Sequence, residues 1–336
     1  MKHSNHRISI ICCILIISIL LTGGCRTFTR SSGNTVRSGF YFDTLVTVTI
    51  YDPSAADIAE KCLEECAYYD KLFSPSDPQG DFGRINSSKG EWVNVSKDTV
   101  DLLEYAVECF NESNGMLDIS IAHASALWTG ARNEKSLPDE ADIKAAVSLK
   151  GLNGLITDRE GLRVRKTDPA LMLDAGSLGK GYIADRLKEF LEDNGVRSAV
   201  ISCGGNINTL GCRPDGSPFK IGVKKPFDAS SGIAVSLNIS GKSVVTSGIY
   251  ERYFTYEGNI YHHILDPMTG YPAGTDLSSA TVICSSSLAA DALSTECILY
   301  GLNDALKLIN GTKDTEAVFI TRDGDIFFSD GAEKYM

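Results

Sequence analysis

The chain has 336 residues, 43% hydrophobic and 22% charged, and its 43 acidic against 32 basic side chains leave a formal charge of −11. This is ordinary globular composition, with enough apolar residues for a sizeable core in one large domain or two small ones. The acidic balance argues against a nucleic-acid surface, which needs a basic patch to replace phosphate counterions, and leaves an anionic ligand only a local site with a metal ion as helper.

The first 25 residues obey different physics. Lys2 and Arg7 precede the apolar run "ISIICCILIISILL" and then "TGGC". A basic segment, a hydrophobic segment and small residues ending at a cysteine read as a secretory leader over residues 1–24, with Cys25 as a lipidated new N-terminus. The leucine usual three residues before such a cysteine sits one place earlier, at Leu21. An uncleaved anchor is the alternative, although the run is marginal for a spanning helix. Both readings put the body outside the cytoplasmic membrane. Residues 25–38, polar and rich in Ser and Gly, read as a flexible tether, and residues 39–336 as the folded body.

The body opens with "FYFDTLVTVTIYD", whose apolar–Thr alternation predicts a strand. Helical spacing follows in "SAADIAEKCLEECAYYDKLF", in "TVDLLEYAVECFNESNG" with Gly115 as its cap, and in "EADIKAAVSLKG". The stretch "LMLDAGSLGKGYIAD", residues 171–185, reads as an apolar strand end, a small-residue loop with one lysine, and the start of a helix that closes on Gly195. "SAVISCGGN" is a buried strand entering a glycine turn. Strands then dominate: "FKIGVKK", "IAVSLNIS", "SVVTSG", "YFTYEGNIYHHIL" turning at Glu257-Gly258, and "SATVIC". A serine-capped helix, "SSSLAADALSTECILYGL", and a hairpin turning near Asp323-Gly324 complete the chain. Strands and helices mix without βαβ alternation, which predicts an α+β body of mixed sheets and helices. Seven cysteines fall in that body, an odd and scattered set that reads as buried small apolar residues rather than a disulfide framework.

Four constellations bear on chemistry. The lysine loop is no P-loop, because the residue five before Gly179 is Asp174 and Gly181 follows Lys180; it also lacks G-x-G-x-x-G. It leaves Asp174, Lys180 and a helix N-terminus that favours an anion, or an ordinary strand-to-helix connection. In "YHHILDPMTGYPAG", His262 and His263 on a strand point to opposite faces, so they are poor joint metal ligands. Asp291 and Thr295 share a helical face, where a carboxylate and a hydroxyl suit magnesium, or simply a dipole-favoured aspartate with a back-bonded threonine. Asp118 in "SNGMLDIS" and the glycines of "SCGGNI" allow ligand contact or a plain turn.

Taken in order, "NGMLD", "LDAGSLGKGYIADRL", "SCGGNI", "VVTSGIYERYF", "HHILDPMTGYP" and "SSATVICSSSLAADALSTECILYGL" resemble the ApbE family, the FAD:protein FMN transferases, from about residue 40 to about 310. The resemblance implies a magnesium-dependent enzyme outside the membrane. It would move FMN from FAD onto a Thr or Ser hydroxyl of an acceptor protein and release AMP. Carried over by position, Asp174 and Lys180 contact FAD, Met116, Leu117 and Asp118 line its adenine or ribose end, and Leu265 packs on it. The main-chain carbonyl of Ser177, with Asp291 and Thr295, holds Mg2+, and His263 activates the acceptor hydroxyl. Partners implied are flavin-carrying subunits of membrane redox complexes or extracellular electron-transfer proteins. Three stretches depart from the family pattern. Phe42-Asp43-Thr44 replaces Met-Gly-Thr, Ser76 stands where an aromatic often stacks on the flavin, and Ser294 stands where many relatives carry an aspartate. The remaining alternatives are an FAD pyrophosphatase giving FMN and AMP, and a flavin-binding lipoprotein without catalysis.

Overall fold

A computed structural model of the chain describes residues 33–336 apart from Ala229 and Ser231. The leader, Cys25 and the first part of the expected tether lie outside the described residues. The last part of the tether is corrected: Thr35–Tyr41 forms strand β1, paired with β2 (Thr44–Ile50) from Thr35↔Ile50 to Tyr41↔Thr44. Its polar side chains belong to an edge strand, which reads like a linker in sequence. The single strand expected across "FYFDTLVTVTIYD" is therefore a hairpin. Phe42 and Asp43 take φ of +54° and +55°, the left-handed pair of a two-residue hairpin turn, and Asp70 accepts the Phe42 N–H at 2.9 Å.

Four helices and short strands follow: α1 (Ala56–Leu72), α2 (Asp81–Ser87), β3 (Val93–Asn94), α3 (Lys97–Glu112) and α4 (Ala122–Glu134). Gly115 takes φ +82° and donates to the Phe110 carbonyl, so it closes α3 as its position suggests. Next come α5 (Glu140–Ser148), β4 (Leu155–Asp158), β5 (Arg163–Lys166) and α6 (Gly179–Asp193). The strand expected before the lysine loop is absent: Met172 makes one isolated parallel bridge to Ile121, and the Asp174 N–H donates to the Ile119 carbonyl at 2.8 Å.

The second half supplies β6 (Ala199–Cys203), β7 (Asn206–Leu210), β8 (Phe219–Lys224), β9 (Ile233–Ile239), β10 (Ser243–Gly248), β11 (Tyr253–Tyr256) and β12 (Asn259–His262). It ends with β13 (Leu277–Cys284), α7 (Ser287–Tyr300), α8 (Leu302–Gly311), β14 (Glu316–Thr321) and β15 (Ile326–Phe328). One antiparallel sheet of eight strands, in the order β1-β2-β6-β7-β10-β13-β14-β15, forms the spine. The architecture is α+β, as expected.

Alternation explains both faces of the spine. Val245, Ala280, Val282 and Phe319 point at Ala290, Cys297 and Ile298 of α7 and Ile309 of α8. Their neighbours Val244, Ile283, Val318 and Ile320 pack on Val223, Val235 and Leu237 of the β8–β9 hairpin. A larger cluster joins Val46, Val48 and Ile201 to Cys62 and Cys66 of α1 and Ile183 and Leu187 of α6. All seven body cysteines are free, and six are buried. Burial pushes the Cys62 and Cys203 thiols up to about 12, which removes them from redox or nucleophilic work near neutral pH.

Helices α6 and α7 meet at Gly181. A Cβ there would lie 2.5 Å from the Ser287 carbonyl oxygen and 2.7 Å from the Leu288 Cα, both backbone atoms that cannot swing aside. Gly181→Ala is therefore expected to cost about 1–3 kcal/mol, as overpacking does in other cores. A urea midpoint equal to wild type would show that the two helices are free to separate.

Candidate active site

The two helix N-termini that meet at Gly181 cap each other. Asp185 of α6 accepts the Ser287 and Leu288 N–H groups at 2.8 and 3.0 Å, the Ser286 hydroxyl at 2.7 Å and the Asn208 amide at 3.0 Å. In return, Asp291 of α7 accepts the Gly181 N–H at 2.9 Å. Each carboxylate meets the positive end of the other helix. The anion that the lysine loop favours at its helix N-terminus is thus, in this chain, its own Asp291.

Lys180 completes that arrangement. Its Nζ lies 3.7 Å from Asp291 Oδ2 and donates to the Gly176 carbonyl at 2.9 Å. The loop is tightened by Asp174, whose Oδ1 accepts the Gly176 N–H at 2.9 Å. Burial raises the Asp291 pKa, while Lys180 and the Gly181 N–H pull it back. One turn on, the Thr295 hydroxyl donates to the Asp291 carbonyl at 3.1 Å. Ser247 of β10 sits beside it, its Oγ 2.8 Å from Ser294 Oγ and 3.3 Å from Thr295 Oγ1. Ser294, found in place of an aspartate, is fully buried and ties α7 to the sheet behind the cleft-lining Ser247.

Asp118 follows the end of α3. Its Oδ1 accepts the Ser120 N–H and hydroxyl at 2.8 and 2.5 Å, while Oδ2 is buried without a partner and burial raises the pKa. The β11–β12 hairpin turns at Glu257-Gly258 as expected and carries the histidines to the same place. His262 ends β12, is buried, and aims Nε2 at the Ala273 carbonyl 3.2 Å away. His263 lies past the strand, so strict alternation does not separate the two rings. Its N–H donates to the Arg252 carbonyl at 3.1 Å. The enclosing cleft walls, then Arg252 and Lys180, lower the His263 pKa. The ring also keeps solvent contact, so the drop is smaller than full burial would give, and the neutral imidazole prevails at pH 7 in either case.

These groups converge on one cleft of about 850 Å³. Phe42, Ser76, Met116, Leu117, Asp118, Asp174, Ser177, Lys180, His263, Leu265, Asp291 and Thr295 all line it. Sequence reasoning missed the α4 wall. Ser125, Trp128, Thr129 and Arg132 face the cleft, and their spacing of three, one and three residues is that of a single helical face. The helix is rich in Ala, with weak hydrophobic contrast, so only this polar spacing could have revealed it. Trp128 stacks on Tyr261 with centroids 5.6 Å apart and donates to the Gly270 carbonyl at 2.7 Å, which fixes the wall to the hairpin.

Among the described residues no three His, Cys, Asp or Glu side chains gather as a metal cluster. The oxygens at the α6–α7 junction, one buried carboxylate, hydroxyls and carbonyls, are hard donors of the kind magnesium takes when waters and ligand phosphates complete its shell.

An antiparallel spine with a large cleft lined by a lysine, a buried carboxylate, hydroxyls and a histidine defines an α+β protein with a pocket of small-molecule ligand size. The chain belongs to the ApbE family, whose model matches residues 42–319. A Klebsiella pneumoniae relative named FAD:protein FMN transferase is 34% identical over 273 residues, 81% of this chain and 84% of its own length. The Escherichia coli protein of that name is 29% identical over 280 residues, covering 81% and 79% of the two chains. The solved Thermotoga maritima ApbE protein superposes with a TM-score of 0.82 at 28% identity, over 90% of this chain and 99% of its own. The Pseudomonas stutzeri flavinyl transferase ApbE gives 0.78 at 27%, over 90% and 96%.

One residue beyond Thr295, Glu296 turns into the interior. Burial first, and then Glu112, raise its pKa to about 7. A carboxyl raised above its unfolded value favours the fold at low pH, and loses that contribution as pH rises through the folded value. Glu296→Gln should leave stability unchanged near pH 4 and raise it by up to about 3 kcal/mol at pH 8. Parallel urea unfolding curves at the two pH values check this; an equal effect at both would mean Glu296 is not protonated in the fold.

Proposed function

We propose that this protein is an FAD:protein FMN transferase. It takes FAD as substrate, uses Mg2+, joins FMN to a Thr or Ser hydroxyl of an acceptor protein through a phosphoester, and releases AMP. What supports this most is the convergence, in one cleft of an ApbE-family chain, of Lys180, Asp291 and a histidine kept neutral.

FAD lies along the cleft, with Asp118 offering its unpartnered oxygen to a donor, Asp174 on the segment beside it and Lys180 at the start of α6. The acceptor oxygen bonds to the FMN phosphorus as the bridging bond to AMP breaks. The hydroxyl proton passes to a free imidazole nitrogen of His263, and AMP leaves with the negative charge. A depressed pKa suits His263 for this, because the ring is unprotonated before the step. Lys180 stabilises the charge that develops on the pyrophosphate oxygens. Asp291, Thr295 and the Ser177 carbonyl would hold Mg2+, which supplies Lewis-acid neutralisation of the phosphates when bound.

One observation favours FAD hydrolysis as the second reading. Ser76 is exposed on the cleft and offers a hydroxyl, with no ring to stack on a flavin. The same proposal places the enzyme on the outer face of the cytoplasmic membrane through a lipid on Cys25, so Cys25→Ala should release the protein from the membrane fraction.

Incubation with FAD, Mg2+ and a threonine-bearing acceptor should give AMP and an FMN-sized mass gain on the acceptor. AMP and free FMN without an adduct would favour hydrolysis, and FAD retained without AMP a carrier. His263→Ala should lower transfer by about 10²–10⁴-fold while FAD affinity stays near wild type. Lost affinity in that variant would remove the proton-acceptor role. Chelation should stop AMP release and added Mg2+ restore it, whereas Asp291→Ala should respond to neither. A metal response surviving in Asp291→Ala would displace the metal from this site.

A further inference from the structure

We infer that Asn86 and Lys166, neither of which faces the cleft, act as one positioning unit that sets the wall against which FAD binds. The inference rests on the FAD reading above. Two irregular segments form that wall, residues 73–76 and 174–177. Strand pairing holds neither of them.

Asn86 on α2 spans the gap between them. Its Nδ2 donates to the Pro75 carbonyl at 3.0 Å and to the Leu173 carbonyl at 2.9 Å. Its Oδ1 accepts the Leu173 N–H at 2.8 Å. One amide therefore ties the segment carrying Ser76 to the residue before Asp174. The Asn86 main-chain carbonyl in turn accepts Lys166 Nζ at 2.7 Å, and the same ammonium donates to the Leu171 carbonyl at 2.8 Å. Helix α2 is also pressed onto the residue that follows the first segment: a Cβ on Gly83 would lie 1.9 Å from the Asp77 carbonyl oxygen. Any shift of Asn86 thus moves both halves of the wall.

Lys166 is the informative member. It is fully buried, its bonds go to carbonyls rather than carboxylates, and burial lowers its pKa. Asp168 and Glu91 favour the charge only from a distance, with no ion pair to it, so burying the ammonium is expensive and a neutral apolar residue would be the cheaper occupant of an ordinary core position. The charge holds two carbonyls whose spacing fixes where Asp174 and Ser76 stand. An interaction at this distance acts on substrate binding, not on the reacting atoms.

The test uses Asn86→Ser and Lys166→Met, singly and together. FAD dissociation constants are measured by flavin fluorescence at a temperature where circular dichroism shows each variant fully folded, with kcat for AMP release alongside. Each single variant should weaken FAD binding about tenfold, or about 1.4 kcal/mol, and leave kcat within about threefold. The double variant should be little worse than either single one, because both break the same wall. Lys166→Met keeps the apolar stem packed and reads the same wall if Asn86→Ser fails to fold. Unchanged FAD affinity with only a lower Tm would reduce the pair to a structural brace and overturn the inference. So would strictly additive losses, or a fall in kcat at unchanged affinity. Wild-type protein that binds no FAD would remove the FAD reading itself, and this inference with it.

Discussion

The reciprocal capping of α6 and α7 is the constraint on which the rest depends. Two helix N-termini brought face to face repel, because each carries partial positive charge. Asp185 and Asp291 turn that repulsion into attraction, each placing a carboxylate on the other helix. Only glycine at position 181 lets the backbones come close enough. The outcome is a junction rich in donors with one buried anion, bordered by Lys180. On the function proposed above, a phosphate and a divalent ion would meet groups already held in place, so little reorganisation would be needed on binding.

The cleft's electrostatics follow from that junction. Lys180 is shared between Asp291 and the Gly176 carbonyl, so its charge is held in place without being fully neutralised. Desolvation by the cleft walls lowers the His263 pKa first, and Arg252 and then this cation add to it. On the proposed function, this positive group would attract an anionic substrate while also helping to leave the histidine free to accept a proton. The separation is made by geometry, because Asp291 anchors the lysine on one helix while a hairpin carries the ring.

Much of this was legible in the sequence, for reasons that differ by element. After Leu210, β8 and β9 alternate because one face is covered, β13 and β14 read as buried runs because both are, and Gly258 and Gly324 mark turns. Helices α1, α3 and α7 show their period or their serine cap. The tight turn at Phe42-Asp43 was hidden because its left-handed residues are neither Asn nor Gly, and a tertiary bond from Asp70 holds it instead. Helix α4 lacked apolar contrast. The two-residue strand β3 and the short β4 and β5 carry too few residues to show a period. The segment before Asp174 looks like a strand because it is apolar and buried, yet side-chain amides and a lysine satisfy its backbone in place of a sheet. The candidate site residues were legible because six motifs occur in order. Their convergence in space, and the Asn86–Lys166 brace, come from long-range packing that no local window contains.

The cleft draws its lining from Phe42 at one end of the body to Leu299 near the other, and from both the spine and the helices. No fragment that stops short of α7 therefore holds the whole site. A chain still being synthesised has no complete cleft until α7 has docked against α6. Flavin bound to the finished protein would stabilise the whole fold against unfolding, because every opening that separates the two ends of the chain also dismantles the pocket.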